Sequence, residues 1–210
     1  MPRTLVVTAV DAERDAVAAG APFDVLAGGV GPAAAAASTA TALARRSYDL
    51  VVSAGIGGGF LDLLGDRALV VAERIVAADL GAETPEGFVP VTGLGFGTDT
   101  HTPPEGLVRD VARATGAVPG DVLTVSTVTG TAERAAALRE RHPRAAAEAM
   151  EGFGVAEAAA LHRTPVLEIR AVSNPVGPRD RAAWRIPEAL AALTAAFSAL
   201  AQTGAAPWTP

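Results

Sequence analysis

The chain has 210 residues, half of them hydrophobic but only 4% aromatic, with 17 basic and 23 acidic residues and no cysteine. That length fits one domain with a sizeable core, and the core must be built mainly from Ala, Val and Leu. A net charge of −6 without a basic stripe speaks against nucleic acid as a partner, and the lack of cysteine excludes disulfides, thiol nucleophiles and cysteine metal sites.

Thr4 to Val10 reads as a first strand, because its apolar run is continuous, as expected when both faces of a sheet are covered. Asp11, Glu13 and Asp15 follow at once, so this start is too short and too acidic for a signal peptide or membrane span, and the cytoplasm is the expected location. Glu13 to Ala19 is predicted as a short helix and Phe23 to Ala27 as a second strand. Gly28 to Gly31 forms a turn, and Pro32 suits the first position of an alanine-rich helix to about Arg46. Asp49 to Ala54 is a strand that runs into a glycine-rich turn, Gly55 to Gly59, and Ala68 to Ile75 is another strand. Asp79 to Pro104 is irregular, with loops and short strands, and Pro104 to Thr115 is helical with Leu107, Val108 and Val111 on one face.

Val122 to Val128 is predicted as a strand ending in Thr129-Gly130-Thr131, with Thr131 capping a helix from Ala132 to Arg141. His142-Pro143 ends or interrupts that helix, and Ala146 to Leu161 reads as the next one, carrying Met150-Glu151. Val166 to Val172 is a strand followed by Ser173-Asn174-Pro175. Pro187 opens a last helix in which Leu190, Leu193, Phe197 and Leu200 recur at helical spacing, and Gln202 to Pro210 is a frayed or extended tail. Strands alternate with helices, which argues for a three-layer αβα fold with a central mixed sheet, one catalytic domain over residues 1–201 and a tail over 202–210.

Several groups are candidates for chemistry. Glu13 follows the first strand, where a carboxylate can activate water, although a glutamate in a first helical turn also simply favours the helix dipole. The Gly55 to Gly59 run can bring backbone N–H groups close to a ribose or anion, or only turn the chain; it lacks the lysine of a phosphate loop and the spacing of a dinucleotide fingerprint. Glu151 lies in an apolar context where a carboxylate needs partners, which two ribose hydroxyls supply. Asn174 offers a donor and an acceptor to a polar ring edge, or belongs to an Asn-Pro turn. Arg179, Asp180 and Arg181 precede Trp184 as a charged cluster that is either solvated surface or the edge of a site. His101, His142 and His162 lack metal-ligand spacing, and no G-x-S-x-G element occurs, so neither zinc nor serine hydrolysis is indicated.

Four segments in order, TAVDAERDAV, DLVVSAGIGGGF, EAMEGFGVAEAA and IRAVSN, resemble the superfamily of purine nucleoside phosphorylases and methylthioadenosine/S-adenosylhomocysteine nucleosidases. Within it, VSTVTGT and SNPVGPRDRAAWRI are most similar to the futalosine hydrolase family. The resemblance implies hydrolysis of a nucleoside by water, without metal or organic cofactor, releasing hypoxanthine and dehypoxanthine futalosine on a route to menaquinone. It implies that Glu13 activates water, that Met150 and Glu151 contact the ribose, and that Gly55, Ile56, Gly57, Thr129 and Gly130 line the substrate site. Asn174 stands where the adenine-directed nucleosidases carry an aspartate; its NH2 suits N7 or O6 of a 6-oxopurine, both acceptors. Arg179 and Arg181, or else His101, are candidates for the substrate's benzoate. The resemblance also implies a homo-oligomer, with Asp79 to Pro104 as a place for the contact. The alternatives are a methylthioadenosine/S-adenosylhomocysteine nucleosidase, a phosphorylase, which would need a phosphate site, and, in a different class, a non-catalytic nucleoside-binding protein.

Overall fold

The computed structural model describes residues 3–65 and 67–202. The first half of the chain runs β1 (Thr4–Thr8), α1 (Asp11–Gly20), β2 (Asp24–Ala27), α2 (Pro32–Arg45), β3 (Leu50–Gly59), α3 (Leu61–Leu64), β4 (Leu69–Ala77), β5 (Gly81–Thr84), β6 (Gly87–Pro90) and β7 (Thr100–His101). It continues with α4 (Glu105–Thr115), β8 (Val118–Thr124), α5 (Ala132–Arg141), β9 (Ala145–Ala149), α6 (Gly152–Leu161), β10 (Val166–Pro175), a short 3-10 turn at Arg181–Ala183, and α7 (Ile186–Gln202).

Eight strands form one mixed sheet in the order β10-β4-β8-β9-β3-β1-β2, with β7 beside β4. Because β10 also pairs with β3, the strands β3, β10, β4, β8 and β9 close into a ring from which β1 and β2 extend. Alternation along β1 divides the core between the faces, as a period of two requires. Leu5 and Val7 pack with α2 and α6 through Ala35, Leu43, Val155 and Ala159. Val6 packs with α1, α4 and α7 through Val17, Val111, Leu193 and Phe197. These are the three layers that the alternating pattern predicts. Among the described residues no helix is long and apolar enough to cross a membrane.

One feature of β3 positions the site. Along one edge it pairs with β10 from Val51 to Gly59. Along the other it pairs with β1 at Leu50 to Ser53 and then with β9 only at Gly58 and Gly59. Between those partners, residues 54–57 leave their backbone on that edge to other groups. A gap where neighbouring strands part, at their C-terminal ends, is where open α/β sheets bind ligands.

Four local expectations are corrected. Gly55 to Gly59 is not a turn but the second half of β3. A Cβ on Gly55 would lie 2.6 Å from Glu13 Oε1, and one on Gly57 2.7 Å from the Glu148 carbonyl, so here glycine allows close approach rather than turning. The strand expected at Val122 to Val128 is displaced: β8 occupies Val118–Thr124, and residues 126–128 are loop. Its Pro119-Gly120 reads locally as a turn, yet Gly120 is packed flat against Ala146 of the next strand. The single helix expected over Ala146 to Leu161 is two elements, β9 and α6, joined by Met150-Glu151. All five residues of β9 are buried inside the ring, and this packing overrides the helical preference of alanine. The first strand ends at Thr8, with α1 already begun at Asp11. Of the expected tail, Gln202 ends α7 and residues 203–210 lie outside the described residues.

Candidate active site

A cavity of about 630 Å³ opens at the gap in β3. Its wall includes Glu13, Ile56, Gly57, Thr129, Met150, Glu151, Asn174 and Arg181. Gly55, Gly130 and Arg179, also expected at the site, lie outside that wall, and His101 sits elsewhere, paired with Glu157 at 2.8 Å.

Glu13 reaches the gap from the first turn of α1. It is 4% exposed, and backbone donors hold its carboxylate on both oxygens. Oε2 accepts from the N–H groups of Ala9 at 2.9 Å and Val10 at 3.3 Å, and Oε1 accepts from Ile56 at 2.8 Å. The Ile56 N–H has no strand partner on the β1/β9 edge of β3, where Glu13 takes the place of a ladder bond and is itself fixed. Oε2 is filled by its two donors, and Oε1 keeps a lone pair for a water molecule.

Glu151 comes to the same gap from the other side, at the junction between β9 and α6. Its Oε1 accepts from Gly31 N–H at 3.2 Å and its Oε2 from Met150 N–H at 3.3 Å. Arg170 Nη1 lies 3.3 Å from Oε2. Arg170 is fully buried and also binds Glu168 Oε1 at 2.8 Å and Ser53 Oγ at 3.0 Å. One guanidinium thus serves Glu168 and Glu151 directly and feels the charge of Glu13. Burial pushes the Glu168 carboxyl up to about 7 against the pull of Arg170, and its Oε2 has no hydrogen-bond partner. Gly152 makes room for that carboxyl group, because a Cβ there would overlap it.

Two residues beyond Ile56 on β3, Gly58 is flanked by two further polar residues of the wall, Asn174 and Glu148. Asn174 Oδ1 accepts from Ser173 Oγ at 2.8 Å, and its Nδ2 donates to the Pro175 carbonyl at 2.9 Å. Those two bonds fix which way the amide points and leave one N–H of Nδ2 free to donate. Across from it stands Glu148, 4% exposed. Glu148 accepts from the backbone N–H of Thr129 at 2.9 Å and from its hydroxyl at 2.5 Å, and burial raises its pKa despite these bonds. At the rim, the guanidinium groups of Arg179 and Arg181 lie 5.3 and 5.6 Å from the Trp184 ring centre. Of these two arginines only Arg181 reaches the cavity wall, together with Trp184.

Sequence reasoning missed Arg170, Glu168 and Glu148. For the first two a signal was present: charges at i and i+2 within the apolar run VLEIRAV fall on one face of a strand. Glu148 was hidden because its segment read as helix.

The family model for the phosphorylase superfamily matches residues 17–204. Futalosine hydrolase from Streptomyces coelicolor is 66% identical over 94% of both chains. Among solved structures, a methylthioadenosine/S-adenosylhomocysteine nucleosidase from Colwellia psychrerythraea in complex with adenine matches with a TM-score of 0.79 at 22% identity, covering 96% of this chain and 95% of that one. Futalosine hydrolase of Helicobacter pylori matches with a TM-score of 0.78 at 16% identity, covering 95% of this chain and 97% of that one. At those identities the structural likenesses establish the fold alone.

Proposed function

The chain belongs to the phosphorylase superfamily, and within it we propose that it hydrolyses the N-glycosidic bond of futalosine, releasing hypoxanthine and dehypoxanthine futalosine for menaquinone biosynthesis. The observation that carries this reading is one cavity whose wall brings together the carboxylates of Glu13 and Glu151 and the Asn174 amide. The 66% identity to a futalosine hydrolase along nearly the whole chain gives the substrate.

In this reading Glu151 accepts hydrogen bonds from the 2′- and 3′-hydroxyls of the ribose, beside Met150. Glu13 orients a water molecule on the anomeric carbon and takes its proton as the C1′–O bond forms. The electrons of the C1′–N9 bond leave with the base as its anion, which the free N–H of Asn174 stabilises at N7 or O6; the anion takes a proton from water on release as hypoxanthine, and Glu13 returns its proton to solvent. Positive charge grows on the ribose between Glu13 and Glu151, which favours the transition state over the neutral substrate. The same charges disfavour phosphorolysis: a phosphate dianion at the ribose would face Glu13 and Glu151, while Arg170 is already engaged with Glu168 and Glu151.

Arg181 meets the benzoate carboxylate of the substrate, with Trp184 against its ring. The protein works in the cytoplasm as a homo-oligomer. Exposed Leu80, Leu94 and Phe96, the last 68% exposed, form the contact between copies, which light scattering tests.

Incubation with futalosine, methylthioadenosine and inosine, with and without phosphate, tests the reaction by chromatography of the released base. Phosphate-independent hypoxanthine release, fastest from futalosine, is expected. Preferential adenine release moves the chain to the methylthioadenosine branch, and tight binding without cleavage makes it a binding protein.

A further inference from the structure

Glu148 is a buried carboxylate in the cavity wall for which the mechanism above has no use. Its position is set by register. Gly58 pairs with Glu148 on β9 and with Asn174 on β10, so the two residues flank one glycine on adjacent strands. Two strand spacings separate their backbones by about 10 Å. Gly58 has no side chain, and a Cβ there would meet Val176 Cγ2 at 2.9 Å and Asn174 Nδ2 at 3.4 Å, so the floor between the two residues is this glycine with the Val176 side chain packed on it. A planar base lying over this floor meets Asn174 on one edge and Glu148 on another.

The two groups present opposite polarity. Asn174 has its carbonyl oxygen occupied by Ser173 and offers an N–H. Glu148 is held by both donors of Thr129, and each of its oxygens keeps a lone pair directed at other partners. An ionised carboxylate only accepts. A 6-oxopurine offers N1–H as a donor and O6 and N7 as acceptors, which complements this pair. A 6-aminopurine has a lone pair at N1, which faces the carboxylate unfavourably.

We propose that Glu148 reads the N1–H of a 6-oxopurine and so selects hypoxanthine over adenine as the departing base, with Thr129 as its positioning residue. This rests on the reading of the cavity as a purine nucleosidase site. It assigns base selection to two residues on either side of β3, rather than to Asn174 alone. A purely structural Glu148, which only anchors the Thr129 loop, makes a different prediction: its loss would harm all substrates alike.

The test compares wild-type protein with Glu148→Gln on inosine and adenosine, alongside inhibition of the wild type by hypoxanthine and 1-methylhypoxanthine. The glutamine is isosteric and can still accept from Thr129, but it can turn an N–H toward N1. Selective loss of kcat/KM on inosine is expected, by about 10- to 100-fold, with a smaller loss or a gain on adenosine. Hypoxanthine should bind the wild type at least about 10-fold more tightly than its 1-methyl form, and the variant should lose that preference. Equal losses on both substrates overturn the assignment. So does equal inhibition of the wild type by the two bases, a measurement that needs no variant to fold. If the wild type itself releases adenine in preference to hypoxanthine, the functional reading fails first and this assignment with it; the variant arm alone leaves the function intact and removes only Glu148.

Discussion

Replacing Glu13 by glutamine separates its chemical role from its structural one. The carboxylate accepts from three backbone N–H groups, two on Oε2 and one on Oε1. Glutamine has the same shape but only one acceptor oxygen. If that oxygen takes the Ala9 and Val10 donors, its NH2 points at the Ile56 N–H, donor against donor. The reverse orientation leaves two donors opposed. The better orientation still strands one buried N–H, at a cost of about 1–3 kcal/mol. For a chain of this size that lowers the melting temperature by roughly 2–4 °C per kcal/mol. Loss of a general base adds a kinetic effect of about 10²- to 10⁴-fold on kcat. The expected result is therefore a folded protein that melts several degrees lower and is almost inactive in hypoxanthine release. Thermal unfolding followed by circular dichroism and a discontinuous release assay on the same preparation measure both. Near-normal turnover in a variant with the predicted loss of stability would refute the base role and leave Glu13 as a structural clasp for the gap in β3.

Three further outcomes follow from the buried charges and the rim. Arg170→Met leaves Glu168 and Glu151 without their shared cation and should destabilise by about 3–5 kcal/mol in urea unfolding, while Arg170→Met with Glu168→Leu recovers part of that stability but not activity. Burial lifts Glu168 from an ordinary value of 4.5 to about 7, so the folded state keeps a proton that the unfolded chain releases. That contribution is fully present below the unfolded value and is lost as pH rises through about 7, a change on the order of 3 kcal/mol that Glu168→Gln should abolish; an identical pH slope of stability in the variant between pH 5 and 8 contradicts it. Arg181→Glu should raise KM for futalosine by about 5-fold or more while leaving inosine nearly unchanged, and Arg179→Glu should do so less, since only Arg181 lines the cavity; equal effects on both substrates exclude a role in benzoate recognition.

The layered fold was legible because β1, β4 and β10 are long apolar runs and because α4 and α7 carry clear helical periodicity. Pro32 marked a helix start correctly for a local reason, its fixed φ and missing N–H. What could not be read was set by contacts distant in sequence. The AAAEA of β9 has helical propensity, and only burial within the closed ring makes it a strand. The glycines of β3 looked like a turn because their real use, the approach of Glu13 and Glu148, comes from chain segments more than 40 and 80 residues away. The misreading of β9 had a direct consequence for the site. On a helix, Glu148 and Glu151 would share a face as an i, i+3 pair. On a strand followed by a junction they separate, Glu148 facing Asn174 across Gly58 and Glu151 turning to Gly31 and Arg170.

That separation explains how one cavity holds several acidic groups without collapsing. Glu13, Glu151 and Glu168 share a single buried cation, Arg170, so this part of the site is short of positive charge before substrate arrives. The imbalance is visible where it is least relieved: Glu168 sits with one unbonded oxygen and a carboxyl that burial drives toward neutrality. A neutral ribose does nothing for this deficit. A ribose that has become cationic on losing its base supplies the missing charge between Glu13 and Glu151. The interaction is thus stronger in the transition state than in the ground state, which is the condition for accelerating the bond-breaking step rather than merely tightening substrate binding. The backbone donors at Glu13 and Glu151 keep both carboxylates in place throughout, so little reorganisation is needed as the charge develops.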